Sequence, residues 1–185
     1  NLSYIPGEVG AAAVQNIGAY GVEISDVIES ITVFEWATQS FHQINVKDCD
    51  YGYRYSRFKG KDAGRYVVVD VTFRLFKEFK PKLDYGGLAD YLSKNSISLT
   101  TLTSRYLREL IIDIRRSKLP EVGELGSAGS FFMNPVVDAS CTDTLKMNYP
   151  NIPTYSTTKG IKIPAAWLIE QCGWKGKSFG SAGVY

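Results

Sequence analysis

The sequence has few of the residues that build metal and redox sites. Its 185 residues include one histidine, His42, and three cysteines, Cys49, Cys141 and Cys172. One histidine cannot form a histidine metal centre, and the cysteines are odd in number and lack the paired spacing of zinc or redox motifs. We therefore predict reduced thiols, no metal site and a cytoplasmic location.

The sequence also has little net charge and no long hydrophobic run. Its formal charge is +2, with 44% hydrophobic and 22% charged residues. This charge argues against nucleic-acid binding, although Arg115, Arg116 and Lys118 form a local basic cluster that suits phosphate groups. No apolar run reaches the length of a membrane span. We predict a globular monomer whose partner is neither nucleic acid nor membrane.

An initiator methionine and a signal-peptide pattern are absent as well. The chain begins at Asn1, directly before a glycine-rich segment, and residues 180–183 near its end are small residues typical of a connection. We therefore expect a fragment that lacks both ends of a longer protein.

Glycine is abundant near the start of the chain. Residues 5–21 contain four glycines and four alanines. Such density favours either a ligand that approaches the backbone closely or a tight structural turn. The segment lacks the Walker and GxGxxG patterns, which argues against those nucleotide-binding folds. Composition alone leaves the cofactor cradle and the structural turn both open.

The first half of the chain is typical of a sheet. Residues 27–45 predict a hairpin with its turn at residues 38–40. Residues 65–76 alternate through Val67, Val69, Val71 and Phe73, as a half-buried strand should.

Helical patterns dominate the second half. Thr101 is a candidate N-cap for a helix that Pro120 ends, and we expect this helix to open a second domain. A strand over residues 130–137, a helix over residues 139–147 and a helix from Pro164 to Gly173 follow. These patterns predict an α+β fold with domains at residues 1–98 and 99–185.

Two side chains are candidates for chemistry. Arg54 lies among tyrosines, where a guanidinium can grip a carboxylate with two parallel bonds or simply stack on a ring. Ser130 lies between a glycine and two phenylalanines, a setting that suits either a hydroxyl in a dry pocket or a turn serine. The Gly-x-Ser-x-Gly pattern of a hydrolase nucleophile is absent there.

Several segments, taken in order, match one known family. They are residues 5–21, Gly52-Tyr53-Arg54, Lys118-Leu119-Pro120, residues 129–135 and residues 165–173. Together they resemble the UDP-N-acetylenolpyruvoylglucosamine reductases, the MurB-type flavoenzymes of peptidoglycan synthesis. Leu83-Asp84-Tyr85-Gly86 resembles the tyrosine segment of the longer subtype of that family.

The resemblance implies a fold and two cofactors. Residues 1–98 would form the second subdomain of an FAD-binding fold of the vanillyl-alcohol-oxidase type, and residues 99–185 a small α+β substrate-binding domain. FAD and NADPH are the implied cofactors. The residues that match FAD-binding positions are Ile5, Pro6, Gly7, Gly10, Ala11, Val14, Gly18 and Val68.

The resemblance also implies a substrate and a reaction. NADPH would reduce FAD, and UDP-N-acetylglucosamine enolpyruvate would then accept a hydride to give UDP-N-acetylmuramate. Arg54 would hold the carboxylate and stabilise an enolate-like charge, and Ser130 would donate the proton. The residues that match substrate-binding positions are Tyr20, Tyr85, Arg115, Lys118 and Asn134.

This sequence departs from the family pattern in places. The family's catalytic glutamate has no counterpart here, since Glu170 lies in a differently matched motif, and Met133 stands where lysine is frequent. The family also has a first subdomain before the glycine-rich segment that completes the FAD site. Because we expect both flanking parts to be missing here, we expect this chain alone to bind FAD weakly or not at all and to have little turnover. Alternative interpretations are a non-catalytic UDP-sugar-binding module, another FAD oxidoreductase of the same fold, or a purely structural fragment.

Overall fold

The computed structural model describes residues 1–121 and 123–185, which divide into two compact units, residues 1–118 and 119–185. Both units mix helices and short antiparallel strands, in line with the predicted α+β content. Across the described residues, no helix combines the length and the apolar character needed to cross a membrane.

The first unit contains three helices and five strands among its described residues. They are α1 (Val9–Gln15), β1 (Gly18–Ala19), β2 (Val22–Glu23), β3 (Ile28–Glu35), β4 (Ser40–Asn45), β5 (Tyr66–Phe73), α2 (Gly86–Lys94) and α3 (Ser104–Arg116). Strands β4, β3 and β5 form one antiparallel sheet in that order, and β1 pairs with β2. The β3–β4 pair confirms the predicted hairpin.

A register shift in β5 changes which of its side chains face the core. Thr32 pairs with Asp70 and Val33 with Val68, which leaves Val69 without a partner on β3. The extra residue reverses the alternation on one side of the shift. Val68 therefore packs against the first core cluster, while Val67 and Val69 are 42% and 49% exposed. The predicted alternation through Val67 and Val69 toward one buried face is wrong for this reason.

The first core cluster lies between this sheet and α1. Its buried members are Ala13, Ile24, Ile28, Ile31, Val33, Ile44, Cys49 and Phe58. Helix α1 contributes the fully buried Ala13, because only a small side chain fits where the helix packs closely on the sheet.

Helix α3 belongs to the first unit. Its buried residues Leu107, Leu110, Ile111 and Ile114 form a second cluster with Leu88 and Leu92 of α2 and with Leu102. The boundary between compact units therefore follows Lys118, whereas the sequence predicted a domain boundary after residue 98.

The N-cap of α3 also differs from the prediction. The hydroxyl of Thr103 accepts the N–H of Tyr106 at 3.1 Å, while Thr101 ends a short 3₁₀ turn, Leu99–Thr101. Thr101 and Thr103 have the same chemistry, and the turn decides which hydroxyl reaches the helix.

The second unit has two helices and five short strands among its described residues. They are β6 (Val136–Val137), α4 (Ala139–Asn148), β7 (Tyr155–Thr157), β8 (Gly160–Lys162), α5 (Ala165–Gln171), β9 (Ser178–Phe179) and β10 (Ala182–Gly183). Strands β6, β8 and β7 form an antiparallel sheet in that order. The two predicted helices are confirmed, but the predicted strand over residues 130–137 is reduced to Val136–Val137.

Candidate functional site

A groove runs beside the first turns of α1. It has a volume of about 630 Å³, and its walls come from α1 and from β5 at the register shift. Its lining residues are Glu8, Val9, Gly10, Ala11, Val14, Val68, Val69, Asp70 and Val71. Four of the predicted FAD-binding residues, Gly10, Ala11, Val14 and Val68, are therefore brought together in one concave surface.

The fold requires the glycines of residues 5–21 for different reasons. Gly7 and Gly21 have φ angles of +104° and +76°, a backbone region that favours glycine. Gly18 is tightly packed, because an added Cβ would lie 3.0 Å from Nη1 of Arg54 and 3.1 Å from the carbonyl oxygen of Val22. At Gly10 an added Cβ would make only ordinary contacts, at 3.6 Å from Val68. Backbone conformation thus explains Gly7 and Gly21, and close packing explains Gly18, but neither explains Gly10.

The remaining predicted FAD-binding residues lie outside the lining of this groove. Ile5, Pro6 and Gly7 precede α1, with Pro6 and Gly7 exposed. Gly18 lies in β1 against the side chain of Arg54.

Arg54 is held at the C-terminal end of α1. Its Nη1 donates to the carbonyl oxygen of Asn16 at 3.2 Å, and its Nη2 donates to that of Gly18 at 2.8 Å. The guanidinium also lies 5.2 Å from the centre of the Tyr53 ring. Its backbone is left-handed, with φ of 54°. Arg54 therefore stacks on a tyrosine and bonds two backbone carbonyls, and its role in holding a carboxylate stays a prediction.

The loop that carries Arg54, residues 51–56, caps the last turn of α1. The hydroxyl of Tyr51 donates to the carbonyl oxygen of Ala13 at 3.0 Å, and that of Ser56 donates to Val14 at 2.6 Å. The last carbonyls of a helix have no partner within the helix, so these bonds satisfy groups that would otherwise need water. Burial raises the pKa of Tyr51, which keeps its hydroxyl protonated as a donor.

Three predicted substrate-binding residues meet in a second cluster. The rings of Tyr20 and Tyr85 pack edge to face with centroids 5.6 Å apart. Burial raises the pKa of Tyr20, while the charge of Arg115 and a hydrogen bond from it act in the opposite direction. Nε of Arg115 donates to the carbonyl oxygen of Tyr4 at 2.9 Å. Lys118 is exposed just beyond the end of α3.

The predicted residues of the second unit lie on a different kind of surface. Ser130 is exposed, and Phe131 and Phe132 beside it are 80% and 61% exposed. Of the two settings left open for Ser130, the exposed segment matches the turn serine and not the dry pocket. Oδ1 of Asn134 accepts the N–H of Ala165 at 2.9 Å and so caps the start of α5.

Sequence reasoning missed Asn16. Its side chain is fully buried, and its backbone is left-handed at the C-cap of α1. The available signal was an asparagine before Ile17 and Gly18, because asparagine is the residue besides glycine that commonly ends a helix in this conformation. Within residues 1–121 and 123–185, no three acidic, histidine or cysteine side chains group as metal ligands would.

Residues 121–185 match a family model described as UDP-N-acetylenolpyruvoylglucosamine reductase, C-terminal domain. Proteins named UDP-N-acetylenolpyruvoylglucosamine reductase are similar over 186 aligned residues. The identity is 47% for Porphyromonas gingivalis strain W83, 45% for Pseudomonas putida and 44% for Burkholderia ambifaria. These alignments cover 100% of this chain and 53 to 54% of the relatives, so the chain spans about half their length.

A solved structure shares the fold. The crystal structure of UDP-N-acetylenolpyruvylglucosamine reductase from Thermus caldophilus aligns with a TM-score of 0.56 over 97% of this chain and 47% of that chain, at 21% identity. The motifs, the family model and the relatives agree. The predicted resemblance is thus confirmed, and the chain is similar along its whole length to the UDP-N-acetylenolpyruvoylglucosamine reductases.

Proposed function

We propose that this chain is part of a flavin-dependent reductase that converts UDP-N-acetylglucosamine enolpyruvate to UDP-N-acetylmuramate. The observation that carries the proposal is that α1 and the residue that follows it serve two purposes. Residues of α1 line a groove of cofactor size, and the carbonyl oxygen of Asn16, the C-cap of this helix, accepts a hydrogen bond from Arg54. The names of the relatives give the reaction class.

The groove beside α1 fits FAD. Its volume of about 630 Å³ lies within the range of cofactor sites. Val14 and Val68 give apolar walls for a ring system, and the carboxylates of Glu8 and Asp70 can accept hydrogen bonds from sugar or ribityl hydroxyls. Gly10 lets a ligand approach the helix backbone where chain packing does not require a glycine. A bound FAD would supply hydride transfer, with NADPH as the source of electrons.

Arg54 is proposed to hold the carboxylate of the enolpyruvyl group. Two of its N–H groups bond the carbonyls of Asn16 and Gly18, which fix the plane of the guanidinium. The remaining N–H groups can donate to a carboxylate. The fixed charge stabilises the negative charge that develops next to this carboxylate during reduction. A left-handed backbone at a residue other than glycine is a strained conformation, and such residues cluster at functional sites.

Ser130 is proposed as the general acid. Its exposed hydroxyl would donate a proton to the substrate carbon beside the carboxylate. A serine hydroxyl is a weak acid, so the transfer relies on the strong basicity of the carbanion-like carbon.

The UDP-sugar is proposed to bind through the remaining candidates. Arg115 and Lys118 bring positive charge to a diphosphate, and the tyrosine pair of Tyr20 and Tyr85 offers ring faces and hydroxyls to a sugar or base. Because Oδ1 of Asn134 caps α5, the Nδ2 group of this residue is its donor toward phosphate oxygens.

A chimera tests the proposal without depending on where the chain begins and ends. These 185 residues would replace the 186 matching residues of the Porphyromonas gingivalis relative. We expect a flavin absorption band that bleaches with NADPH and recovers with UDP-N-acetylglucosamine enolpyruvate. The 185-residue chain alone, titrated with FAD, shows how much of the binding it provides itself.

Two outcomes would contradict the proposal. A folded chimera without flavin would mean that the groove beside α1 is structural. A chimera that binds the UDP-sugar but never flavin would favour the non-catalytic UDP-sugar-binding module.

A further inference from the structure

Asn16 joins three separate segments of the first unit through its side chain. Its Nδ2 donates to Oε2 of Glu23 at 2.7 Å and to the carbonyl oxygen of Gly52 at 2.9 Å. Its Oδ1 accepts the N–H of Ser25 at 3.2 Å. The side chain has no exposed surface. The amide therefore ties the end of α1 to β2 and to the loop that carries Arg54.

The backbone of Asn16 completes this arrangement. Its carbonyl oxygen accepts Nη1 of Arg54, so one residue anchors both the loop, at Gly52, and the guanidinium. An amide can do this because it presents two donors and an acceptor at once. A carboxylate of the same shape has no donor unless it is protonated, and an aliphatic side chain has neither.

We propose that Asn16 is a positioning residue for Arg54, acting with Glu23 to hold the guanidinium at the end of α1. The inference rests on the proposed function, in which Arg54 holds the substrate carboxylate. It goes beyond that function by naming the residues that set the direction of the guanidinium before any ligand binds.

The substitution Asn16→Asp tests the proposal, because it should make the hold on Arg54 depend on pH. It places a second carboxyl group against Glu23, at a contact that measures 2.7 Å in the native chain. Two carboxylates this close do not both ionise readily, so the pKa of the pair rises. At low pH the shared proton bridges the two carboxyl groups and removes their repulsion, so the contact with Glu23 persists and Arg54 stays in place. At higher pH both groups ionise and repel each other, and the loop is released.

Other charged and titratable groups face this position. They are Arg54 and Tyr51 of the loop, Lys59, whose Nζ donates to the carbonyl oxygen of Arg54, and Asp26, which accepts the N–H of Glu23 and pairs with Lys82. The cations among them lower the pKa of the introduced carboxyl group, and Asp26 raises it. We expect the repulsion from Glu23 to dominate, because it acts across the shortest contact.

The measurement follows the side-chain Nη–H resonances of Arg54 by NMR in the 185-residue chain, from about pH 5 to about pH 8. In Asn16→Asp we expect a titrating shift and solvent exchange about tenfold faster than in the native chain at the high end of this range, because the bonds that hold the guanidinium are lost. The native chain should show no such titration. In the double variant Asn16→Asp with Glu23→Gln the titration should disappear, since only one carboxyl group remains at the contact.

Two further variants keep the test decisive. Glu23→Ala removes the partner of Asn16 without burying a charge, and we expect it to speed exchange at Arg54 even if Asn16→Asp does not fold. Ser30→Ala is the matched control, because Ser30 is also a buried residue of this unit, and its hydroxyl accepts a hydrogen bond from Gln43 of the neighbouring strand β4. The proposal is overturned if Arg54 responds to neither Asn16→Asp nor Glu23→Ala, or if Ser30→Ala moves it equally.

A kinetic measurement separates this inference from the proposed function. In the chimera, Asn16→Asp should lower kcat/KM for the enolpyruvyl substrate at high pH and recover it at low pH, while flavin reduction by NADPH is unchanged. If the Arg54 resonances respond in a chimera without reductase activity, the positioning role is supported and the reductase proposal is contradicted. If the chimera is active but the Arg54 resonances do not change in either variant, the reductase proposal is supported and the positioning role is contradicted.

Discussion

The two units present their candidate residues in opposite ways. In the first unit, the loop of Arg54 is bonded to α1 through Tyr51, Ser56 and Asn16, all within a buried setting. In the second unit, Ser130 lies on an exposed segment. The apolar groove of that unit, about 660 Å³ in volume, is lined by the buried Ala165 and by exposed or half-buried residues: Phe132, Met133, Pro135, Leu168, Ile169, Cys172, Trp174 and Val184.

This difference separates two ways of placing a functional group. Arg54 is oriented by hydrogen bonds within its own unit, so changes around it should alter both structure and binding. The position of Ser130 depends little on contacts within its own unit. Removing its hydroxyl should therefore slow the reaction without changing the free energy of unfolding. The predictions below test this contrast.

The largest effect is expected from Ser130→Ala in the chimera. Loss of a general acid should slow reduction of the enolpyruvyl substrate by about 10²- to 10⁴-fold. Stability should change by less than about 0.5 kcal/mol, because the hydroxyl is exposed. Stopped-flow kinetics measures the rate, and thermal melting measures the stability. Ser127→Ala, an exposed serine of the same segment, is the control, and an unchanged rate in Ser130→Ala would remove Ser130 from the mechanism.

A core substitution in the first unit should have the next largest effect. Ile111 is fully buried in the cluster shared by α2 and α3. Ile111→Ala should lower the free energy of unfolding by about 2 to 5 kcal/mol, through lost contacts and a cavity. Faster hydrogen exchange at the backbone amides of α2 and α3 would report this loss of stability. Ile111→Val, which should cost about 0.5 to 1.5 kcal/mol, is the matched control. An equal loss of unfolding free energy in Ile111→Ala and Ile111→Val would mean that this cluster is not tightly packed.

The reactivity of the cysteine thiols should differ between the two units. Cys49 is buried in the first unit, and Cys141 and Cys172 are exposed in the second. Burial raises the pKa of Cys49 from 9.0 to about 11, which alone lowers its thiolate fraction at neutral pH about 100-fold. In native protein a thiol reagent should therefore label Cys141 and Cys172 quickly and Cys49 only after unfolding. Rapid labelling of all three would show that the first core cluster opens readily.

The same thiol predicts a loss of stability at alkaline pH. The folded state keeps the proton of Cys49 where the unfolded chain releases it, so its contribution is present below about pH 9 and is lost as pH rises through about 11. Cys49→Ala should remove this part of the alkaline loss measured by denaturant titration, whereas Cys141→Ala should leave it. An unchanged profile in Cys49→Ala would contradict the raised pKa.

Gly10→Ala should have a small effect on stability, and its sign is informative. Alanine favours a helix over glycine, and its Cβ would make ordinary contacts with Val68, so the variant should gain about 0.5 to 1 kcal/mol. In the chimera, the same methyl group should weaken FAD binding by narrowing the groove. Calorimetry and flavin titration measure the two effects. A stabilised variant with unchanged FAD affinity would place the cofactor elsewhere.

Gly18→Ala is the control for that pair of measurements. Its Cβ would lie 3.0 Å from Arg54 and 3.1 Å from a backbone oxygen, so this variant should lose stability. The contrast between Gly10 and Gly18 separates a glycine kept for a ligand from a glycine kept for packing.

Elements with strong local signals were predictable. Helix α5 follows Pro164 and ends before Gly173, whose φ is +67°, as the residue types indicate. The β3–β4 hairpin follows from β-branched and aromatic residues on both sides of a turn. Within these elements the information is local, so neighbouring residues suffice to predict them.

The site was predictable in part. Gly10, Ala11, Val14 and Val68, which match FAD-binding positions of the family, line one groove, and their role in binding FAD stays a prediction. The role of Asn16 was not predicted, because its partners Glu23 and Gly52 become neighbours only when the chain folds back on α1. The choice of Thr103 over Thr101 as a cap likewise depends on a turn that no single residue specifies.

The sequence by itself determined the family resemblance, the candidate residues and the elements β3, β4, β5, α3, α4 and α5, because motifs and periodicities are properties of residues close together in the chain. The tertiary structure alone decided which face of β5 is buried, where the first compact unit ends and how Arg54 is held. Each of these depends on pairing between distant segments. A single extra residue at Val69 is enough to reverse a strand's faces, and no local pattern reports it.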